Sequence, residues 1–315
     1  MFSKIRKIIN DGNKFLITSH IDPDGDALGS AFSLFWAMKS LGKDPLVYLK
    51  DEVPYRYDFL PRPTNMVHQL PQDTYDAVFV LDCGSLFRIG DGHEQVKGMG
   101  TIVCIDHHET NEAFGAINLV ERSASSTAEI LYGLYKLMKI DFTENVAVNV
   151  YTAVFTDTGS LRYDNTSPKA FGICKEMVET GVRPAYVAQM VYETHPKERF
   201  LLLGEVLGTL QTFDNGRISM AHVTDEMFRR TGTNREHTDG FSEYIREIRG
   251  VEAAVFIRQV DERRFKISMR AKGKMDVALI CSNFGGGGHK NAAGCTIDGD
   301  LREVEAQLKK AFGFA

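Results

Sequence analysis

The stretch Thr18-Ser19-His20-Ile21-Asp22-Pro23-Asp24-Gly25-Asp26-Ala27-Leu28-Gly29-Ser30 decides how the rest of the chain is read. It follows a short apolar run, Phe15-Leu16-Ile17, that reads as a buried strand, and it leads into an apolar-periodic segment, Ala27 to Leu41, that predicts a helix. Its polar residues therefore occupy a strand-to-helix turn, where open α/β sheets bind ligands. Three acids and a histidine within seven residues repel one another unless a cation compensates them. A metal site is the economical reading. A solvated acidic turn with Asp26 as helix N-cap is the alternative.

Outward from this turn the same arrangement recurs. Pro45 to Leu49 predicts a second strand, and the proline-rich segment from Pro54 to Pro71 a loop or edge segment. The run Ala77-Val78-Phe79-Val80-Leu81 ends on Asp82-Cys83-Gly84-Ser85, and Thr101-Ile102-Val103-Cys104-Ile105 ends on Asp106-His107-His108. Continuous apolar strands separated by helical segments predict an α/β fold, a parallel sheet with helices on both faces. Three strands then end in a metal-capable side chain, His20, Asp82 or His107, at one sheet edge.

Further along, Ser125-Ser126-Thr127-Ala128-Glu129 opens a helix running to about Met138. Ser126 and Glu129 fit a capping box, while Ser125 or Thr127 could hold an anion at the helix start. Glu144 to about Phe155 predicts a helix that delivers Asp157 at its carboxyl end, a position opposed by the helix dipole unless the acid faces a cation. Helices are also expected at Pro168 to Gly181, Pro184 to Tyr192 and Pro196 to Phe213, the last with Phe200, Leu203, Val206, Leu207 and Leu210 on one face. The expected organisation is a first domain over 1–195, a connecting helix over 196–215 and a smaller mixed α/β domain over 216–315. In that last part, strands are expected at Arg217 to His222, Glu252 to Val260, Phe265 to Arg270 and Cys295 to Ile297. The second and third should form a hairpin, and a helix should start at Leu301. A glycine run, Gly285-Gly286-Gly287-Gly288-His289-Lys290, lies between.

Composition sets the bounds. With 315 residues, 43% hydrophobic and 25% charged, the chain has the make-up of a globular protein with a sizeable core, and disorder is excluded as its general state. Five cysteines without a Cys-x-x-Cys pair, several inside apolar runs, read as reduced core residues of a cytoplasmic protein. The N-terminal apolar run is cut short by Asn10-Asp11-Gly12, so no signal peptide is expected, and no segment has the length of a membrane span. The net charge of -5 is uneven. Residues 1–215 carry 20 Lys+Arg against 28 Asp+Glu, and residues 216–315 carry 17 against 14. The first part suits cations and the second anions.

His20, Asp24, Asp26, Asp82, His107 and Asp157 are therefore the candidate ligands. Their four carboxylates balance two divalent cations, with Asp82, at the centre of the set, as the shared ligand. Ions about 3.5–4 Å apart can hold both an attacking water and phosphoryl oxygens, the usual design for in-line attack on phosphorus. Oxygen-rich ligands with two imidazoles favour Mn²⁺, with Mg²⁺ an alternative. The glycine run is not a P-loop, because no Gly-Lys-Ser/Thr follows. It either forms a flexible turn or lets backbone approach a phosphate.

The run His20-x-x-x-Asp24-x-Asp26, the strand-end Asp82, the triplet Asp106-His107-His108 and the later Asp157 resemble, in order, the four motifs of the DHH phosphoesterase superfamily. Gly285-Gly286-Gly287-Gly288-His289, with Arg270 upstream, is similar to its DHH-associated C-terminal domain. The layout is most similar to NrnA-type oligoribonucleases, which also remove the 3′-phosphate of 3′-phosphoadenosine 5′-phosphate (pAp). The resemblance implies that His20 and Asp24 bind one metal, that Asp26, His107 and Asp157 bind the other, and that Asp82 bridges them. It further implies an orienting role for Asp106, a phosphate contact or proton donor in His108, and a homodimer. Arg270, Gly286, Gly287, Gly288 and His289 are assigned to the nucleotide's other phosphate or base, and Arg88 is a further possible phosphate contact. The expected substrate is short RNA (nanoRNA) or pAp in a cleft between the two domains. The alternatives are a cyclic-di-AMP or pApA phosphodiesterase, and a non-catalytic nucleotide sensor on the same fold.

Overall fold

The computed structural model describes residues 1–313. The chain divides into two compact units, Met1–Thr194 and His195 onward. The first contains α1 (Phe2–Asp11), β1 (Lys14–Thr18), α2 (Gly25–Ser40), β2 (Asp44–Tyr48), β3 (Met66–Val67), β4 (Ala77–Leu81) and α3 (His93–Val96). It continues with β5 (Thr101–Asp106), β6 (Ile117–Val120), α4 (Thr127–Met138), α5 (Glu144–Asp157), α6 (Pro168–Glu179) and α7 (Pro184–Tyr192).

Its six strands form a wholly parallel sheet in the order β3-β2-β1-β4-β5-β6. Each central strand is apolar on both sides because both faces are covered. Phe15, Ile17, Phe79 and Leu81 pack with residues of α1, α2 and α4 to α7. On the opposite face Leu16, Val78 and Val80 pack under Val96 of α3 and the 3-10 turn Leu86–Ile89. The strand order reverses direction between β1 and β4, and an open α/β sheet gapes at the carboxyl ends of such a pair. Ser19 closes the backbone there by donating from Oγ to the Leu81 carbonyl at 2.7 Å.

The second unit contains α8 (Lys197–Gly208), β7 (Gln211–Phe213), β8 (Ile218–Val223), α9 (Asp225–Thr231), α10 (Phe241–Glu247), β9 (Ala253–Asp261) and β10 (Arg264–Ala271). After these come α11 (Val277–Ser282), β11 (Gly287–His289), β12 (Ala292–Asp298) and α12 (Leu301–Ala311). Its sheet runs β11-β12-β10-β9-β8-β7, with β8 and β9 parallel and the other neighbours antiparallel.

Two expectations about elements change. The helix expected to run from Pro196 to Phe213 ends at Gly208, because Gln211–Phe213 is drawn into the sheet by pairing with β8. Its buried face is also rotated from the expected stripe. Arg199, Leu202 and Val206 are buried, while Phe200 and Leu207 are exposed. The Arg199 guanidinium lies 4.9 Å from the Phe241 ring and donates to the Asp239 carbonyl, so a residue counted as polar is part of the interior. All five cysteines are free and buried.

Candidate metal centre

The centre assembles where the strand order reverses. His20 follows β1 and Asp82 follows β4, while His107 follows β5. Each imidazole has its proton placed by a backbone acceptor. His20 Nδ1 lies 2.7 Å from the Ile21 carbonyl and His107 Nδ1 lies 3.2 Å from the Ala124 carbonyl. A carbonyl only accepts, so both rings carry hydrogen on Nδ1 and turn Nε2, the nitrogen left to bind a metal, toward the carboxylates.

Around His107 Nε2 stand three carboxylate oxygens from three different elements: Asp82 Oδ1 at 3.5 Å, Asp26 Oδ2 at 3.7 Å and Asp157 Oδ2 at 3.7 Å. Those separations are long for hydrogen bonds but close to what two ligands of one ion show, roughly 3.0–3.4 Å when each sits about 2.1 Å from the metal. On the other side of Asp82, Oδ2 lies 3.7 Å from His20 Nε2. Among the described residues, ligand atoms of Asp26, Asp82 and His107 lie within 4.8 Å of one another, and so do those of His20, Asp24 and Asp82. Asp82 belongs to both groups and shows a different oxygen to each.

The acids are held against strong electrostatic resistance. Burial, then the charges of Asp82, Asp157 and Asp24, pushes the Asp26 carboxyl well above the usual carboxylate range. Burial with Asp24 and Asp82 raises Asp157 to about 7. Burial opposes the charge of Asp82 too, but His107, His20 and His108 overcome it and hold Asp82 well below that range. Buried acids in mutual conflict, gathered around imidazole Nε2 atoms, are a donor set that divalent cations fit.

Helix ends supply the positioning. Asp24, not Asp26, caps α2, its Oδ1 accepting from the amides of Asp26 and Ala27. The carboxylate of Asp26 instead crosses to the start of α4 and accepts from the amides of Thr127 at 2.6 Å and Ala128 at 3.1 Å, with Ser30 Oγ donating as well. The anion site anticipated at that helix start is thus filled by a side chain of the protein, with the helix dipole stabilising its charge. The expected capping box forms only in part. Ser126 Oγ accepts from the Glu129 amide, but the Glu129 carboxylate reaches one residue further back and accepts from Ser125 N and Oγ.

Asp157 arrives from the last turn of α5, and two glycines bring it within range. A Cβ on Gly25 would stand 2.2 Å from Thr156 Oγ1, and one on Gly29 would stand 2.4 Å from the Asn149 carbonyl. Glycine at these two positions lets α2 pack closely on α5, against the Thr156 side chain at Gly25 and the Asn149 carbonyl at Gly29, with Asp26 and Asp157 around the same imidazole.

Several orienting residues carried no sequence signal for this role. Thr127 Oγ1 donates to Asp82 Oδ1 at 3.1 Å. Asn165 Nδ2 donates to the Ser125 carbonyl and to the Asp157 carbonyl and carboxylate. Asn111 Nδ2 donates to Asp106 Oδ2 at 2.6 Å, and Asp106 Oδ1 accepts from His108 Nδ1 at 2.7 Å. Burial opposes a charge on the His108 ring, but Asp106 and Asp82 overcome it and raise its pKa, which favours a proton on Nε2 as well.

Of the remaining expected site residues, Arg88 lies on the 3-10 turn after Asp82, and its carbonyl accepts from the Ile21 amide. Its guanidinium is close enough to counter, in part, the rise that burial imposes on the Cys83 thiol. Gly286, Gly287, Gly288 and His289 are in the second unit, where β11 pairs with β12. A Cβ on Gly286 would meet the Gly294 carbonyl at 2.2 Å, and Gly288, at φ +142°, would meet the Ala292 carbonyl at 2.4 Å. Glycine at these two positions is therefore demanded by strand packing.

Comparison with known proteins agrees with this geometry. The sequence matches the DHH family, N-terminal domain, over residues 14–154, and the DHHA1 domain over residues 219–314. It is 33% identical to the bifunctional oligoribonuclease and PAP phosphatase NrnA of Thermus thermophilus, across 94% of this chain and 88% of that protein. The chain belongs to the DHH family. NrnA of Bacillus subtilis is 22% identical across 94% of this chain and 93% of that protein. The crystal structure of an exopolyphosphatase-related protein from Bacteroides fragilis superposes with a TM-score of 0.90 at 27% identity, covering 98% of this chain and 94% of that one. The triplet Asp106-His107-His108 gives the family its name, and in this DHH-family chain each of the three has a distinct environment within a two-metal centre.

Proposed function

We propose that this DHH-family enzyme hydrolyses short oligoribonucleotides to 5′-mononucleotides and removes the 3′-phosphate of pAp, using two Mn²⁺ ions, with Mg²⁺ able to substitute. The observation that carries this reading is Asp82, whose two oxygens face two ligand groups at the carboxyl ends of the central strands. The names of the Thermus thermophilus and Bacillus subtilis relatives support the choice of substrate.

In this reading His20 and Asp24 would hold one ion, Asp26, His107 and Asp157 the other, and Asp82 both. Bound there, divalent cations would supply charge for the phosphoryl oxygens and a water of lowered pKa. His108, with Nδ1–H fixed by Asp106, presents Nε2 to the departing O3′ and delivers its proton as the P–O3′ bond breaks. Water adds to phosphorus on the opposite side and releases a proton to solvent, so the new P–O bond replaces the P–O3′ bond. Phosphodiester and 3′-monoester cleavage both break a P–O3′ bond, so one arrangement serves both. Arg270, Gly286, Gly287, Gly288 and His289 contact a further phosphate or base of the nucleotide, and Arg88 is a phosphate contact beside the metals.

The test is a panel of di- to penta-ribonucleotides, pAp, pApA, cyclic di-AMP and linear polyphosphate against Mn²⁺-loaded protein. Turnover of the short RNAs and pAp is expected, with the RNAs ending as 5′-mononucleotides. Intact di- to penta-ribonucleotides would sink the proposal, while preferred turnover of cyclic di-AMP or pApA would move the chain to the cyclic-dinucleotide reading. Binding without turnover of any member would mark a nucleotide sensor. Sedimentation of the same sample tests the homodimer implied by the family resemblance.

A further inference from the structure

The register of the second sheet aligns two of the residues assigned to substrate. Ala292 on β12 stands opposite Arg270 on β10 and also opposite His289 on β11. Residues facing each other on neighbouring strands project to the same side, so Arg270 and His289 share one face of the sheet, separated by a methyl group.

On that face Arg270 meets α10. Its Nε donates to Glu243 Oε1 at 2.8 Å, and its Nη1 donates to the Met269 carbonyl at 3.2 Å. The other carboxylate oxygen, Glu243 Oε2, accepts from Ser242 Oγ at 2.8 Å. One turn on, Arg246 Nε donates to the Ala271 carbonyl, so α10 is tied to β10 at two successive residues. Burial opposes the charge on Glu243, but Arg270 overcomes it and keeps the carboxyl below its usual range.

We propose that Glu243 is a positioning residue that fixes the plane of the Arg270 guanidinium for a phosphate group of the substrate. This rests on the reading of Arg270 as a phosphate contact. Arginine recognises phosphate through a planar fork, and a long side chain that must first be ordered loses affinity in the ordering. Glu243 removes that loss by holding the Nε edge. The carboxylate also repels phosphate, so a role in charge alone would weaken binding. The geometric role and the charge role therefore predict opposite signs.

The test uses full-length, Mn²⁺-loaded protein turning over a 5′-phosphorylated diribonucleotide, with kcat and KM measured separately and the fold checked by circular dichroism. Arg270→Ala should raise KM roughly tenfold or more. Glu243→Asp keeps the charge but withdraws the oxygen from Nε, and Glu243→Ala removes both. Each should raise KM roughly fivefold with kcat within about twofold of the parent. Glu243→Gln still accepts from Nε and should stay within about twofold in KM. The double variant Glu243→Ala/Arg270→Ala should be no worse than Arg270→Ala alone, as expected for residues acting through one contact.

If Arg270→Ala raises KM while Glu243→Asp and Glu243→Ala leave it unchanged or lower it, the positioning role is overturned and the Arg270 reading stands. A KM that follows charge, altered in Glu243→Gln but not in Glu243→Asp, also overturns it. An unchanged KM in Arg270→Ala overturns both. Should Glu243→Ala fail to fold, the contrast between Glu243→Asp and Glu243→Gln decides.

Discussion

Thr127 shows how much of the centre depends on a residue outside the six candidate ligands. Its amide holds Asp26 and its hydroxyl holds Asp82, so one buried threonine aligns a member of one candidate ligand group with the member common to both. Thr127→Val keeps the shape and the amide and deletes only the hydroxyl. Calorimetric titration with Mn²⁺ should show roughly a 10- to 100-fold loss of affinity, as for other partners that orient metal ligands. An unchanged titration would remove Thr127 from the set. Asp82→Ala is the sharper change. It should lower kcat roughly a thousandfold or more while leaving the circular dichroism spectrum of the parent, because both ligand groups lose their common member at once. Turnover at the parent rate would rule out the shared role.

At the scale of elements, the contact between α2 and α5 is what brings Asp26 and Asp157 to one imidazole, that of His107. Gly25 and Gly29 are one turn apart on α2, and each would drive a Cβ into α5. Gly29→Ala should therefore destabilise the protein by about 1–3 kcal/mol, the ordinary cost of overpacking. It should also weaken Mn²⁺ binding by displacing Asp157. Thermal denaturation and metal titration of the same variant check both effects. Gly208→Ala, where a Cβ would meet nothing within 4 Å, serves as the control and should move neither. In the second unit, Gly286→Ala should disrupt the pairing of β11 with β12 and shift the melting temperature even with no substrate present, because the clash is with Gly294 and Cys295 of the protein itself.

For the molecule as a whole, the metal centre is also a stability device. With no cation, four carboxylates crowd one sheet edge, and Asp26 and Asp157 are pushed toward their neutral forms. Binding to the folded state alone stabilises by mass action, about 2.7 kcal/mol per site at a free ion concentration a hundred times Kd. Chelated protein should accordingly melt several degrees below the Mn²⁺-loaded form, with the gap widening as metal is added. A melting temperature indifferent to Mn²⁺ would mean that the side chains do not hold the ions in the fold. No helix among the described residues is long and apolar enough to cross a membrane.

The parallel sheet, the family and the candidate ligands that the fold brings together were legible in the amino-acid sequence, because each depends on local order: an apolar run sets a strand, and the polar residue after it marks the strand's carboxyl end. The triplet Asp106-His107-His108 and the turn from His20 to Asp26 could be read that way without coordinates. What only the tertiary structure decided is which atoms meet. The turns of Glu129 back to Ser125, Asn111 back to Asp106 and Asn165 back to Asp157 are local, but periodicity and spacing do not say which acceptor a polar side chain reaches. That Asp26 accepts from the first amides of α4 instead of capping α2, and that Thr127 donates to Asp82, follow from contacts between distant segments, on which periodicity and spacing are silent. The shortening of α8 has the same origin, since Gln211–Phe213 exchanges helical bonds for pairing with β8, an alternative that exists only once the sheet is built.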